Sequence, residues 1–195
     1  MNKKTRFGLY INAPVIIGMA ALSLLVLIVD NLLGGLMIRQ FGAFRTSFID
    51  PMQYVRLFTH VLVHADLAHY ASNFMMMLAI GPMIEEKYSS KRLGLMIALT
   101  ALITGLTKVV VLPGTAVIGA SGIVFMMILL ASFTNIKQGK LPITVVLVAV
   151  LFIGNEVTAG LFAASNISRL SHIVGGLCGA CFGFAFYAEK NSPPK

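Results

Sequence analysis

A serine flanked by small residues, Gly119-Ala120-Ser121-Gly122, opens a run that otherwise reads as membrane-spanning helix. A histidine, His172, opens another such run further along the chain. A hydroxyl is a weak nucleophile until a neighbouring base takes its proton, and imidazole is the usual base. Ser121 and His172 together would therefore suit acyl transfer. That chemistry also needs hydrogen-bond donors aimed at the oxyanion of the transition state. His69 and Asn73 are spaced i,i+4, so they share a helix face, and both can donate. The Ser121 N–H is a natural third donor, because a helix start leaves its N–H groups without intrahelical partners.

Gly119, Ala120 and Gly122 would clear space around the serine. Phe125, one turn on, is placed to pack on an imidazole face. In the run "SHIVGGLCGACFGF", Gly175, Gly179 and Gly183 recur every four residues on the face that carries His172. Small residues at that spacing let two helices approach closely. If the partner is the helix of Ser121, the stripe brings the two residues together. The bland alternative is a helix-pairing stripe with a histidine bonded to backbone. For His69 and Asn73 the alternative is a polar pair tying one helix to a neighbour.

Other polar residues admit similar readings. His60 and His64 are read as structural. With His69 they form H-x3-H-x4-H, which raises a metal site, but Asp66 is the one acidic residue well placed to join it, and no metal is expected. Lys108 is a rival base, and the expectation is that it snorkels to water from the end of its helix. Glu156 either lines the mouth of the site, pairs with Arg169 or backs His172. Cys178 and Cys181 are read as two small buried residues, since a disulfide within one helix would be strained.

These residues need elements to hold them. Of the 195 residues, 57% are hydrophobic and 11% are charged, against about 25% charged in soluble domains. Six apolar runs of roughly spanning length are expected, at 13–33, 67–86, 93–112, 118–134, 142–162 and 169–188. Breaker-rich segments "EEKYSSKR", "LPGT", "NIKQGKLP" and "SNIS" separate the later ones, and Pro142 suits the first turn of the fifth. The first run lacks a small-residue cleavage site and reads as a retained helix. The fold class expected is thus an all-α membrane protein, with residues 1–195 forming one membrane domain.

The net charge of +8 is not a nucleic-acid signature here. Ten of the 15 Lys and Arg lie on the side shared by both termini and the even-numbered loops. The positive-inside rule then puts both termini in the cytoplasm. On that topology Ser121, His172, His69, Asn73 and Glu156 all fall near the outer face. Intramembrane polar residues are functional candidates by default, and their convergence on one depth says more than any single motif. The segment 34–66 becomes a long outer loop, and its mixed aromatics and arginines suit the membrane interface.

Together these motifs resemble the rhomboid family of intramembrane serine proteases. "HADLAHYASNFMMMLAIGPMIEE" follows the family's second-helix pattern through His64, His69, Asn73, Gly81 and Glu85. "GASG" matches its G-x-S-G, and "SHIVGGLCGACFG" its histidine followed by spaced glycines. The resemblance runs from about residue 10 to 188 and fits the six-helix bacterial form, in an inner membrane. It implies Ser121 as nucleophile, His172 as general base in a dyad, and His69, Asn73 and the Ser121 N–H as the oxyanion site. It further implies Phe125 against the histidine, Gly119 and Gly122 in support, and a site open to the outer face. The substrates implied are transmembrane proteins in a lipid bilayer, with no cofactor. Where the family's long loop carries a Trp-Arg pair, this chain reads Val55-Arg56, and it has no Trp. A rhomboid-like escort protein without catalysis and a small transporter are the competing classes. The first need not retain Ser121 and His172, and the second would show internal repeats or paired broken helices, which the sequence lacks.

Overall fold

The computed structural model describes residues 10–133, 143, 146, 147, 150, 151 and 167–191. The elements are α1 (Pro14–Leu32), α2 (Leu36–Phe41), α3 (Pro51–Thr59), a 3-10 turn (His60–Leu62), α4 (Leu67–Tyr88), α5 (Ser90–Val111), α6 (Ser121–Phe133) and α7 (Ile167–Asn191). Among the described residues there is no strand, only an isolated bridge between Ala43 and Val117.

Among the described residues, four helical stretches are long and apolar enough to cross a membrane: Pro14–Leu32, Leu67–Tyr88, Ser90–Val111 and Arg169–Tyr187. They correspond to the first, second, third and sixth expected runs. The fourth run begins its helix at Ser121, three residues later than expected, because the chain before it is extended and glycine-turned. The fifth run, with Pro142 and Glu156, lies almost wholly outside the described residues, and so does any Glu156–Arg169 pair.

α6 is the hub. Gly122, Ile123, Val124, Met126, Met127, Leu129, Leu130 and Phe133 are all buried. A helix apolar on every side belongs inside a bundle. α7 packs along it through the glycine stripe. A Cβ on Gly175 would meet the Gly122 backbone, with the carbonyl carbon at 2.7 Å. On Gly179 it would meet the Met126 backbone, with Cα at 3.0 Å, and on Gly183 the Phe133 ring. Where α4 meets α1, a Cβ on Gly81 would lie 2.7 Å from the Ile16 side chain. Within lipid, apolar burial gives helices little reason to associate, so such close contacts carry the packing.

Helix ends are satisfied internally. Glu85 is buried and accepts from Val15 N–H at 3.0 Å, Ile16 N–H at 3.2 Å and the Ser90 hydroxyl at 2.7 Å. One carboxylate thus caps the start of α1 and ties it to the α4–α5 corner. Asp66 caps α4 through His69 N–H at 2.7 Å. Tyr70 donates from α4 to Ala20 O at 3.0 Å.

The segment 34–66 carries α2, α3 and the 3-10 turn. Arg56 is its tie. It donates to Gln40 O at 2.9 Å and to Asp50 at 3.1 Å, and its guanidinium lies 4.4 Å from the Phe44 ring centroid. Phe48, Ile49, Tyr54 and Phe58 point outward, as an interfacial segment requires. The Thr46 hydroxyl, then the Met52 N–H, hold the Asp50 carboxyl below the usual range, with burial opposing and Arg56 adding to the effect.

Two expectations fail. Lys108 does not snorkel: it is 2% exposed, and its Nζ has no hydrogen-bond partner among the described residues. α3 lies across this face of α5, so closely that a Cβ on Gly105 would sit 2.9 Å from Leu57 O, and this closes the way to water. Cys181 is exposed while Cys178 is buried, and both are free thiols. Cys181 lies two residues, about half a helical turn, beyond Gly179, and so faces away from the α6 contact.

His60 and His64 are structural, as expected. The His60 Nδ1 pairs with Arg56 O at 3.1 Å and its Nε2 with the Thr104 hydroxyl at 3.3 Å. The His64 Nε2 accepts from Ala120 N–H at 3.3 Å. Burial pushes each imidazole down to about 4. For His64 the neighbouring His69 ring adds to the effect.

Two predictions follow from these contacts. Replacing Glu85 by Ala removes charge-assisted bonds worth about 1.5–3 kcal/mol each. Unfolding in detergent should show a loss of about 4 kcal/mol or more, the low end for three such bonds, and a change below about 0.5 kcal/mol would contradict the capping role. The histidines set the acid limit. A lowered folded pKa means the unfolded state binds more protons between the two values, so stability falls as pH drops from 6.5 toward 4. The loss approaches roughly 3 kcal/mol per ring. Melting temperature measured from pH 7 to pH 4.5 should drop in the wild type and drop less steeply in His60→Gln; parallel profiles would refute the assignment.

Candidate functional site

A cavity of about 500 Å³ opens where α4, α6 and α7 meet. Its walls include His69 and Asn73 from α4, Ser121 and Phe125 from α6, and His172 from α7. Five residues singled out from sequence thus share one space. The close α6–α7 contact accounts for the presence of His172. Gly122 and Gly175 let the backbones meet one residue from Ser121 and three residues from His172, and a Cβ on Gly122 would lie 3.2 Å from Ser171 O. Phe125 stacks on His172 with ring centroids 4.4 Å apart and planes inclined at 37°. A ring held this way limits the rotation of the imidazole about its χ angles.

The approach to Ser121 is pinned residue by residue. Val117 exchanges both backbone hydrogen bonds with Ala43, at 2.8 and 3.0 Å. Gly119 N–H donates to His60 O at 2.9 Å, and Ala120 N–H to His64 Nε2. Ser121 is then the first residue of α6, and its N–H has no carbonyl within the helix to meet. Gly119 has φ +101°, and a Cβ there would sit 2.6 Å from His69 Nε2. Both the conformation and the space demand glycine. Gly119 and Gly122 therefore shape the site from behind, one against His69 and the other against α7, instead of lining the cavity.

The donor pair has a defined polarity. His69 Nδ1 accepts a long 3.5 Å bond from Ala65 N–H. The ring proton is then assigned to Nε2, the atom that faces Gly119. Asn73 is 5% exposed, and its Nδ2 has no hydrogen-bond partner among the described residues. A buried unpaired donor costs about 1–3 kcal/mol, so this amide on the cavity wall keeps an unused hydrogen bond. Behind them His64 sits edge-on to His69, with centroids 5.0 Å apart, and Tyr70 and Phe74 close the cluster.

Sequence reasoning missed Ser72, which also lines the cavity and donates to His69 O at 2.9 Å. It follows His69 by three residues, so helical spacing was the available signal. It also gave Glu85 no role, although a carboxylate near the end of an apolar run is a capping signal once a second helix start lies beside it. Lys108 is not among the residues that wall the cavity. Among the described residues no group of three or more His, Cys, Asp or Glu is placed to hold a metal ion, and His60, His64 and His69 do not form a ligand set.

Residues 51–189 match the family model of the Rhomboid domain. The chain is 34% identical to "Rhomboid protease GluP" of Bacillus subtilis (strain 168) over 148 residues, which cover 74% of this chain and 28% of that protein. It is 25% identical to "Rhomboid-related protein 2" of Mus musculus over 146 residues, covering 68% of this chain and 48% of that protein. The chain thus spans less than half the length of either relative. The matched segment runs from α3 through α7, takes in every residue of the cavity, and is well over half of the chain: this protein belongs to the rhomboid family.

Proposed function

We propose that this protein is an intramembrane serine endopeptidase that hydrolyses peptide bonds in or beside the transmembrane segments of other membrane proteins. The observation that carries the reading is the shared cavity: a hydroxyl at a helix start, an imidazole stacked on an aromatic ring, and a buried, unpaired amide donor around one space. Membership of the rhomboid family supports it, as does the word "protease" in the name of the Bacillus relative.

In this reading His172 takes the Ser121 proton as Ser121 attacks the scissile carbonyl. Asn73 Nδ2, His69 Nε2–H and the Ser121 N–H stabilise the oxyanion. His172 then returns the proton to the leaving amine. Water, activated by the same imidazole, releases the acyl group and regenerates Ser121. The substrate helix has to unwind first, because its own hydrogen bonds shield the peptide bond. Small and helix-destabilising residues near the cut would lower that cost. Water reaches the site because polar side chains line the cavity.

The remaining topology is part of the same proposal. Residues 1–195 form one rhomboid-like domain of six spans, with both termini in the cytoplasm and the cavity opening to the outer face of a bacterial inner membrane. The charge asymmetry between loops supports the orientation.

Labelling with a fluorophosphonate tests the nucleophile. The wild type should label and cleave a model transmembrane substrate, whereas Ser121→Ala should do neither. Asn73→Ala should retain labelling yet lose about 10²–10³ in kcat, the usual cost of one oxyanion donor. Equal labelling of wild type and Ser121→Ala would overturn the proposal.

A further inference from the structure

Away from the cavity, α1, α5 and the 3-10 turn enclose an apolar cleft of about 270 Å³. Val15, Gly18, Met19 and Leu22 wall it on α1, and Gly94 and Ala98 on α5. A second cleft of about 180 Å³ adjoins it across Leu62 and reaches Val26. Positions 15, 18, 22 and 26 recur at helical spacing, so the two clefts follow one stripe of α1. From Val15 to Val26 is about 16 Å of helix, half of a hydrocarbon core about 30 Å thick. That is the depth of one leaflet.

The glycines here behave unlike those of α7. A Cβ on Gly175 or Gly179 would strike α6 backbone, whereas a Cβ on Gly18 or Gly94 meets nothing within 4 Å. They bring no helix closer and instead leave an apolar slot open on a membrane-spanning face. A helix is about 10–12 Å wide with its side chains and does not fit inside a cleft of this volume. An extended hydrocarbon chain does. The slot also has a charged mouth. Lys91 precedes Gly94 by three residues and Ala98 by seven, so it continues the same face of α5 at its first turn. It is exposed. Glu85 holds the first turn of α1 beside that corner through Val15 and Ile16. Lys91 therefore continues the α5 line of Gly94 and Ala98 toward the end of the cleft that Val15 lines.

We infer that this cleft is a binding site for one anionic phospholipid, with an acyl chain lying between α1 and α5 and the headgroup phosphate on Lys91. The site is separate from the Ser121 cavity and does not depend on the protease reading. Its position at the α1–α5 seam would make the bound lipid a wedge that sets the spacing of these two helices.

Native mass spectrometry of the full chain in detergent tests it, with dioleoyl phosphatidylglycerol and dioleoyl phosphatidylcholine as probes. The wild type should hold one phosphatidylglycerol more tightly than phosphatidylcholine. Lys91→Gln should weaken phosphatidylglycerol about fivefold, the effect of one surface cation, and weaken phosphatidylcholine, whose choline offsets its phosphate, by clearly less. Gly18→Leu with Gly94→Leu fills open space and should weaken both lipids at least about tenfold. Circular dichroism and fluorophosphonate labelling serve as fold controls. Unchanged phosphatidylglycerol affinity in both variants would overturn the inference. So would a filled variant that keeps its lipid but loses cleavage of a transmembrane substrate, an outcome that assigns the cleft to a protein helix.

Discussion

The backbone contact between α6 and α7 is the constraint on which the rest of the molecule depends. A membrane interior offers no solvent to drive apolar faces together, so helices there are held by how closely they fit. Gly122 and Gly175 bring the two backbones into direct contact, and Gly179 against Met126 repeats the approach one turn on. Any side chain at these glycines would push α7 outward and carry His172 with it. The register is set where Gly175 meets Gly122, Gly179 meets Met126 and Gly183 meets Phe133. That register places His172 on the same cavity as Ser121.

The other half of the site depends on polar groups buried where water cannot compensate them. His60 and His64 answer this by serving as neutral linkers. Burial keeps both uncharged at physiological pH, so each ring can accept at one nitrogen while its position is fixed by backbone. His60 supplies its carbonyl to Gly119 and His64 its Nε2 to Ala120, which consumes the donors just before Ser121. The Asn73 amide, on the cavity wall, is left without a hydrogen-bond partner among the described residues. A donor held in place in this way is a fixed dipole that can meet a charge without reorganising.

Much of this was legible in the sequence for identifiable reasons. Helical periodicity put His69 beside Asn73 and His172 beside the glycine stripe, because side-chain direction in a helix follows from spacing alone. Polarity in an apolar run marked residues that line one cavity, because lipid penalises polar groups without a role. Lys108 shows where such reasoning stops. Its place near a helix end gave no sign that α3 folds across it. The same limit hid Glu85, whose partners Val15 and Ile16 are remote in sequence. Contacts made by the 34–66 segment depend on a path that no periodicity encodes. The Val55-Arg56 departure from the family's Trp-Arg pair resolves for a related reason. Arg56 anchors the loop through Gln40, Asp50 and Phe44, and its neighbour Val55 is exposed.

The central claim is that the glycine contact, at a distance from the chemistry, sets whether Ser121 is activated. The most direct measurement is the rate of fluorophosphonate labelling in Gly179→Val, which leaves Ser121, His172 and the cavity residues intact. Helical content serves as the check that the chain is folded. A folded variant that labels at least about tenfold more slowly than the wild type, as a misplaced base implies, is the predicted result. A folded variant that labels at the wild-type rate would contradict the account.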